Sequence, residues 1–355
     1  MDIQLRVLQA EHGDSIIISV EFEGEKRNIL IDGGPSQAFE VQNIPRELQL
    51  NLNGVKAHSQ VIDLLVLTHA DDDHIGGLLA GFNKYGYLSE LTQEVWFNSG
   101  KLIFSHFNKP ISDSNFVMLK NSIGPNTSTG QGISLENHLE GRKNSAGKVM
   151  WSHSLIKTGD EFVRFGCNFK ILSPSLSKLN KLLTAWETDR LNSNTSAGNK
   201  DYDDSFQELL NNDKFIEDRK PHNGSSLAFI FEFHNKKILL LGDSHPTVIA
   251  ESIEELGYTA DKRLCIDYVK ISHHGSKANT NDALLSLIDS ENFIISTNGN
   301  FHGLPNKKTL ARIVAHFPNA NLMFNYPELI NEIFTEDEIS NASFNAVACE
   351  GIIHI

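Results

Sequence analysis

Four short apolar segments of the sequence each end in polar residues of the kinds that bind metals or substrates. Continuous runs of Val, Ile, Leu and Phe are typical of strands that are buried on both faces of a sheet. A site for a pair of metal ions needs ligands that converge from distant parts of a chain. The segments are residues 61–67, 237–241, 268–272 and 293–296, and they are followed by residues 68–74, by Asp243, by His273 and His274, and by residues 297–300.

Composition and charge narrow the classes of function. At 355 residues the chain has room for one large α/β domain or two smaller ones. With 40% hydrophobic and 21% charged residues, it is typical of soluble globular proteins and not of disordered, collagen-like or coiled-coil chains. The net charge of −14 repels polyanions at long range, which argues against a protein that coats DNA. A local cationic or metal-bearing pocket is compatible with that charge.

The cysteines and the N-terminus indicate a soluble cytoplasmic protein. Cys167, Cys265 and Cys349 lack the spacing of a disulfide framework or a zinc ribbon, so we expect small buried residues in a reducing compartment. The first residues show no basic segment followed by an apolar one. No stretch approaches the roughly 18 consecutive apolar residues of a membrane-spanning helix. We therefore expect no association with a membrane.

Strand signals at both ends of the chain enclose two long excursions. Strand and turn signals alternate before residue 36, and a helix is expected to follow Ile75. The first excursion is rich in Asn, Ser, Gly and Lys, which predicts irregular structure with short elements. The predicted elements are a hairpin of residues 226–233 and 237–243, an excursion at 98–150 with a short element at 134–139, and an excursion at 176–222 with helices at 176–183 and 205–210 and a surface loop at 192–204.

A cluster of histidines and aspartates follows the first apolar segment. His69, Asp71, Asp73 and His74 lie within six residues. Imidazole and carboxylate together are the ligand set for zinc, manganese or iron at a hydrolytic centre. The structural alternative is a solvated acidic turn after a strand, but two histidines bracket the acids, and adjacent carboxylates repel one another without a cation. The cluster therefore predicts a metal site.

Asp243 and the histidine pair at 273–274 are the candidate ligands from distant strand ends. A carboxylate in such a position can bridge two metal ions. Taken alone, a Gly-Asp turn after a strand is usually structural, and a histidine pair often only hydrogen-bonds its neighbours. The prediction of a two-metal site therefore depends on the convergence of these residues with the cluster at 69–74.

Motifs along nearly the whole chain resemble those of the metallo-β-lactamase superfamily. Residues 68–74, THADDDH, are similar to its T-H-x-H-x-D-H signature, with Asp71 in place of the second histidine. This form resembles the branch that contains the nuclease-like domain of the DNA-uptake protein ComEC and phosphorylcholine esterases. The resemblance implies a single domain over residues 1–355 with an αββα four-layer sandwich. The other similar segments, which appear in the family's order, are 11–15 with 31–34, 241–243, 272–277 and 298–305.

The resemblance also implies ligands for two divalent ions, zinc or manganese. Either His273 or His274 would complete the second site. His273 is favoured because it directly follows its strand, which would leave His274 to support the ligands from behind. His222 stands four residues before Ser226, where many members have a further histidine ligand, but the ComEC-like branch often lacks that ligand. The sequence supports equally well a histidine in a loop that binds no metal at this position. The implied ligands are His69 and Asp71 for the first ion, Asp73 and His74 for the second, and Asp243 as a bridge.

Two ions held in this way imply hydrolysis by an activated hydroxide. Asp71 or Asp73 would orient the water and accept its proton. Lys277, Asn298 and His302 are candidates to hold substrate oxygens or to protonate a leaving group. The structural alternative is a solvated side chain for Lys277 and a turn residue for Asn298. For His302 the catalytic and the structural interpretations are equally supported.

Five further residues favour structural roles. Asp14 and Asp32 lie in turns beside strands, where aspartates accept hydrogen bonds from the backbone. These aspartates would have a functional role as well if their carboxylates hydrogen-bond the metal-binding histidines. Trp96, Trp151 and Trp186 have no interleaved basic and aromatic neighbours, so we expect packing and not a stacking platform for single strands.

The function that the resemblance favours is a metal-dependent phosphodiesterase or nuclease, with nucleic acid or another phosphodiester as substrate. A second hypothesis keeps the metals but acts on a lactone, thioester, amide or peptide, because a fold does not fix its substrate. A third is a metal-binding component activated by a partner, since similar stand-alone proteins resemble those encoded in bacterial defence clusters beside large NTPases. The sequence leaves the oligomeric state and the physiological metal open.

Overall fold

Two β-sheets carry most of the strands in the computed structural model of this chain. The structure describes residues 3–107, 128–151, 154–187, 200–211, 213–349 and 351–355. The strands are β1 (Ile3–Val7), β2 (Ile16–Phe22), β3 (Glu25–Ile31), β4 (Glu40–Val41), β5 (Ile44–Pro45), β6 (Leu64–Val66), β7 (Val95–Trp96), β8 (Glu161–Arg164), β9 (Cys167–Ser173), β10 (Ala228–Phe233), β11 (Lys236–Leu240), β12 (Leu264–Cys265), β13 (Tyr268–Lys270), β14 (Ile288–Asp289), β15 (Asn292–Ile295), β16 (Asn321–Phe324), β17 (Asn345–Ala348) and β18 (Ile353–His354).

The helices lie between these strands in the chain. A short 3₁₀ turn, Ser272–Gly275, follows β13. The α-helices are α1 (Ser36–Phe39), α2 (Glu47–Ala57), α3 (Asp72–Asn83), α4 (Tyr87–Leu91), α5 (Gly100–His106), α6 (Ser128–Leu139), α7 (Leu176–Glu187), α8 (Phe206–Asn211), α9 (Pro221–Gly224), α10 (Pro246–Glu255), α11 (Asp282–Leu287), α12 (Lys307–His316), α13 (Glu328–Ile333) and α14 (Glu336–Ser340).

The two large sheets face each other across an apolar core. The first has the strand order β18-β1-β2-β3-β6-β7, and the second has the order β17-β16-β15-β13-β11-β10-β9-β8. Alternate residues of β1 and β2, such as Leu5 and Ile18, meet aromatic residues of β9 and β10, such as Phe169 and Phe231. Strands are two-sided, so this core takes one face of each sheet and leaves the other face to be covered.

Helices cover both outer faces. On the first sheet, Leu30 and Leu65 pack with Phe39, Leu78 and Phe82 of α1 and α3. On the second sheet, apolar residues of β10, β11 and β15 pack against helices α10 to α13. The layers are therefore helix, sheet, sheet, helix, which confirms the predicted αββα sandwich of the metallo-β-lactamase type.

The excursions are more helical than their composition suggests. Within 98–150 the structure shows α5 and α6, where only a short element at 134–139 was predicted. The predicted helices at 176–183 and 205–210 correspond to α7 and α8. Ile103 and Phe104 of α5 are buried against leucines of α7, which supply the apolar contacts that the sequence pattern did not reveal. Most of the loop predicted at 192–204 lies outside the described residues.

The ends of the central strands meet at one edge of the sandwich. Strand β6 pairs in parallel with β3, and β13 pairs in parallel with both β11 and β15. The segments that follow these strands therefore emerge on the same side, as in other open α/β sheets. None of the helices in the described ranges combines the length and the hydropathy needed to cross a membrane.

Candidate metal centre

Asp243 lies at the centre of the site, and its two carboxylate oxygens face two different groups of side chains. Its Oδ2 atom is 3.7 Å from Nε2 of His69 and 3.7 Å from Nε2 of His273. Asp71 completes this first group, with its Oδ2 atom 3.7 Å from Nε2 of His69. The first group therefore consists of His69, Asp71 and His273 around one oxygen of Asp243.

The second group surrounds the other oxygen of Asp243. Its Oδ1 atom is 3.3 Å from Nε2 of His74 and 3.9 Å from Nε2 of His274. Asp73 joins them, with Oδ2 3.3 Å from Nε2 of His274 and Oδ1 4.0 Å from Nε2 of His74. The second group therefore consists of Asp73, His74 and His274.

The site contains buried polar atoms that no protein group satisfies. The Nε2 atoms of His69, His74 and His274 and the Oδ1 atom of Asp243 have no hydrogen-bond partner, and these side chains are at most 2% exposed. Leaving such an atom buried and unpaired costs about 1–3 kcal/mol. Convergent imidazole nitrogens and carboxylate oxygens are the donors that divalent transition metals take. Two sets of three donors have all their ligand atoms within 4.8 Å of one another, so the residues present fit divalent cations beside Asp243. The sets are His69, His74 and Asp243, and Asp73, His74 and His274.

Local sequence explains how the segment 68–74 reaches this position. Strand β6 ends before Thr68, and α3 begins at Asp72, so the backbone turns sharply between them. Asp72 and Asp73 lie in the first turn of α3, where negative charge is stabilised by the helix dipole. Gly13 packs against this turn so closely that a Cβ atom there would lie 1.9 Å from the carbonyl oxygen of Asp73. Only glycine can fill that position.

A buried carboxylate holds His74, whereas His274 is held by a backbone carbonyl oxygen with a carboxylate slightly further away. Nδ1 of His74 is 2.7 Å from Oδ2 of Asp32, which also accepts a hydrogen bond from the hydroxyl of Thr68. Nδ1 of His274 is 3.0 Å from the carbonyl oxygen of Ser296 and 3.3 Å from Oδ1 of Asp14. Contacts of this type fix the ring and direct Nε2 toward a metal.

Neutral groups hold the two histidines of the first group. The hydroxyl of Thr68 is 3.1 Å from Nδ1 of His69, and the side-chain oxygen of Asn279 is 2.9 Å from Nδ1 of His273. Asp218 lies further away, with Oδ2 3.6 Å from Nδ1 of His273. The two groups therefore differ in the charge of the partners behind their imidazoles.

The structure differs from the expectation for the paired histidines. His274, expected behind the ligands, faces Asp73 and Oδ1 of Asp243, whereas His273 faces the first group. The reason is the backbone, since His273 and His274 both have left-handed φ values, 48° and 51°. This conformation costs about 1–3 kcal/mol in a residue other than glycine and is concentrated at functional sites. It turns both rings toward Asp243.

His222 lies beside the first group. It belongs to α9, and its Nδ1 atom is 3.5 Å from Oδ1 of Asp71. The side chain of His222 is 11% exposed, and that of Asp71 is 26% exposed. The structure thus places His222 in a short helix, where its imidazole faces Asp71 of the first group.

The charges of the site shift the pKa values of its groups. Burial alone would raise the pKa of Asp73, but His74 and His274 outweigh it and lower the pKa to about 2. Burial alone would lower the pKa of His274, but Asp14 and Asp243 outweigh it and raise the pKa to about 10. The same balance of burial against Asp243 and Asp32 raises the pKa of His74. Without metals, the second group therefore holds protons that a cation must displace.

The three secondary candidates lie outside the two groups. Lys277 is exposed, and its backbone N–H donates to Oδ1 of Asn306. The side chain of Asn298 donates to Glu11 at 3.0 Å, which is a contact within the rim of the site. His302 is also exposed, and burial and Lys220 lower its pKa while Asp73 raises it. Of the three, His302 is the candidate within electrostatic reach of the second group.

Sequence reasoning did not identify several residues that shape the centre. Lys270 is buried and donates to Oδ2 of Asp14 at 2.7 Å. Asn279 and Asp218 stand behind His273, and His12 lies on the rim. A lysine inside an apolar strand segment is a signal that was available, because a buried lysine requires a partner. Single polar residues in loops gave no such signal.

The tryptophans agree with their predicted role where they are described. Trp96 and Trp151 are buried in the cores beside the first sheet. The side chain of Trp186 lies outside the described part of the structure. The cores therefore account for both tryptophans whose side chains are described.

A family model agrees with the geometry of this region. The model described as "Metallo-beta-lactamase superfamily" matches residues 12–138. This segment contains the loop with His69, Asp71, Asp73 and His74, and members of the superfamily are typically metal-dependent hydrolases. Comparison with curated proteins gave no match.

Solved structures resemble the chain only distantly. The metallo-beta-lactamase fold protein YhfI from Bacillus subtilis is 10% identical, with 100% of both chains covered and a TM-score of 0.41. CmlA, a diiron beta-hydroxylase from Streptomyces venezuelae, is 12% identical over 100% of this chain and 54% of its own, with a TM-score of 0.41. A metallo-beta-lactamase from Cronobacter sakazakii is 10% identical over 86% of this chain and 85% of its own, with a TM-score of 0.34. None of these similarities carries an argument about substrate.

Proposed function

We propose that this chain is a hydrolase of the metallo-β-lactamase superfamily that holds two divalent ions across Asp243. The observation that carries the proposal is the arrangement of that carboxylate, since each of its oxygens faces a separate group of imidazoles. One residue that serves two groups is the feature expected of a bridging ligand. His69, Asp71 and His273 would hold one ion, and Asp73, His74 and His274 the other.

The chemistry depends on both the ions and the chain. Bound divalent ions lower the pKa of a water between them and neutralise negative charge on the substrate in the transition state. Asp73, with a pKa lowered to about 2, is better suited to holding a cation than to accepting a proton, because a general base works best with a pKa near the working pH. Asp71, whose pKa is also lowered, is suited to the same role. We assign proton transfer at the leaving group to His302.

The substrate class that we favour is a phosphodiester, as in a nuclease of the ComEC-like branch. Asp71 at the second ligand position supports that assignment at the level of sequence. The imidazoles of His12 and His302 lie near Asp73 of the second group, and Lys220 lies near His222 and His302. Imidazole N–H groups and an ammonium group are suited to holding the oxygens of a phosphate-bearing substrate.

A specific observation supports the alternative of a non-phosphate substrate. A cavity of about 30 Å³ lies beside the first group, between His69 and the excursion helices. Its walls include Phe97, Phe104 and Leu182, which would accept a small apolar acyl group of a lactone or thioester. If this cavity binds the acyl group of the substrate, Leu182→Lys would impair acyl hydrolysis.

The experiment that tests the proposal compares the two substrate classes on one preparation. Protein stripped with a chelator is reloaded with Mn²⁺ or Zn²⁺ and assayed with bis(p-nitrophenyl) phosphate, single-stranded DNA and p-nitrophenyl acetate. We expect metal-dependent hydrolysis of the two phosphodiesters, and its loss in Asp243→Asn. Metal-dependent turnover of the acetate alone would favour the second substrate class.

A third outcome would identify a different kind of protein. If the protein binds two ions but hydrolyses none of the substrates, this result would favour a component that needs a partner for activity. A large NTPase is the partner that we would test. The surface that we would then assign to the partner is formed by the described helices of the excursions, α5 and α7, which pack together. Addition of the partner would have to restore turnover for this alternative to hold.

A further inference from the structure

The loop at 298–305 is fastened at one end to the segment that carries His12 and Asp14, and at the other end to the segment that carries His274. At its start, the backbone N–H of Asn298 donates to the carbonyl oxygen of Glu11 at 2.9 Å. At its end, the backbone N–H of Asn306 donates to the carbonyl oxygen of Gly275 at 3.0 Å. The loop therefore spans from the residue before His12 to the residue after His274, along the rim of the metal centre.

This loop presents an exposed aromatic ring at the rim. Phe301 is 50% exposed. In contrast, the phenylalanines of the three large apolar clusters are buried in those clusters or packed against their surfaces. Its ring is stacked on the imidazole of His12, with the ring centres 4.0 Å apart and the planes inclined by 28°. The pair therefore offers a flat, partly solvated surface.

The position of His12 places this pair beside the second group. His12 directly precedes Gly13, which packs against the carbonyl oxygen of Asp73. The next residue, Asp14, accepts a hydrogen bond from Lys270 and lies 3.3 Å from His274. His302, which follows Phe301, is within electrostatic reach of Asp73. The platform is therefore adjacent to the group where a scissile phosphate would lie.

We propose that Phe301 and His12 form an aromatic platform that stacks on a nucleobase next to the scissile phosphodiester. The inference rests on the proposed phosphodiesterase function and narrows its substrate class to nucleotides and single-stranded nucleic acid. Stacking tolerates every base because each base has a flat face, so the platform gives affinity without sequence specificity. The exposed ammonium group of Lys220, near His302, complements the phosphate backbone.

The test compares two single strands that differ only in their bases. One is an octamer of thymidylate, and the other is an octamer of abasic tetrahydrofuran units with the same phosphodiester backbone and charge. Metal-loaded wild-type protein, Phe301→Ala and Phe301→Trp are assayed for kcat/KM on both strands. Tyr85→Ala is the matched control, because Tyr85 is 98% exposed and does not belong to the site.

We expect wild-type protein to prefer the thymidylate strand and Phe301→Ala to lower that preference about tenfold, in line with the stacking of one base. Phe301→Trp should retain the preference, and Tyr85→Ala should not change it. Metal content, measured on each variant, shows whether the centre is intact. Equal cleavage of both strands by wild-type protein, or a preference unaffected by Phe301→Ala, would overturn the platform and leave the phosphodiesterase standing. Failure to cleave either strand with two ions bound would instead overturn the proposed function itself.

Discussion

The two halves of the metal centre use the same ligand chemistry but are supported differently. The imidazoles of His74 and His274 have the buried carboxylates of Asp32 and Asp14 behind them. The imidazoles of His69 and His273 have a hydroxyl and an amide oxygen as their nearest partners. A carboxylate behind a histidine raises the basicity of its other nitrogen and fixes its orientation. We therefore expect the second group to bind its ion more tightly than the first.

Removal of the shared carboxylate is expected to have the largest effect, because both halves lose the ligand that joins them. Asp243→Asn takes the negative charge from both groups while it keeps the size of the side chain. We expect the bound metal to fall from two ions to one weakly held ion or none, with loss of hydrolysis. Elemental analysis after gel filtration measures the stoichiometry. Two tightly bound ions in this variant would mean that Asp243 does not bridge.

The support of His274 is expected to matter for stability as well as for metal binding. Asp14 and Lys270 form an ion pair whose side chains are 3% and 1% exposed. Asp14→Asn leaves the lysine buried without its partner, which we expect to lower the free energy of unfolding by about 3–5 kcal/mol. Chemical denaturation of metal-free protein measures this change.

The matched control is an ion pair on the surface. Lys101 and Glu140 are 45% and 49% exposed, so Glu140→Gln should change the free energy of unfolding by less than about 1 kcal/mol. Similar losses in Asp14→Asn and Glu140→Gln would show that the buried pair has no special role.

The sequence indicated the ligands better than it indicated their supports. The residue types and spacing of His69 to His74 were sufficient to predict which loop contributes most of the candidate ligands, and the four apolar segments were sufficient to locate strands of the two sheets. The backbone turn at 273–274 could not be predicted, because left-handed φ values at two consecutive histidines depend on tertiary contacts. Helix α5 was missed, and α6 was predicted only over its last residues, 134–139, because their apolar contacts come from distant segments.

A pair of substitutions compares the supports directly. Asp32→Asn removes the charge behind His74 and keeps a side chain that tolerates the left-handed backbone at this position, where φ is 57°. We expect the affinity for the tighter ion to fall about 10- to 100-fold. Asn279→Ala removes the neutral partner of His273 and should weaken mainly the other ion, by less than about tenfold. Isothermal titration resolves the two steps, and equal losses in both variants would contradict the proposed asymmetry.

The last prediction concerns pH. Because the pKa of His274 is raised to about 10, the metal-free protein holds this proton at neutral pH, and the ion must displace it. Metal affinity should therefore rise as the pH increases from about 7 toward 10. The raised pKa also stabilises the metal-free fold below the ordinary histidine pKa of about 6.5, and that contribution is lost as the pH rises through about 10. Titrations in buffers of different ionisation enthalpy count the released protons, and release of none would contradict this prediction.

The central claim is that Asp243 joins two ions in one centre, and electron paramagnetic resonance of the manganese-loaded protein tests it most directly. Mn²⁺ is added in steps to metal-free wild-type protein. The first equivalent should give the signal of an isolated ion in the second group. The second equivalent should convert that signal to the spectrum of an exchange-coupled pair, and Asp243→Asn should abolish the coupling. Saturation at one ion, or two ions that remain uncoupled in wild-type protein, would contradict the claim.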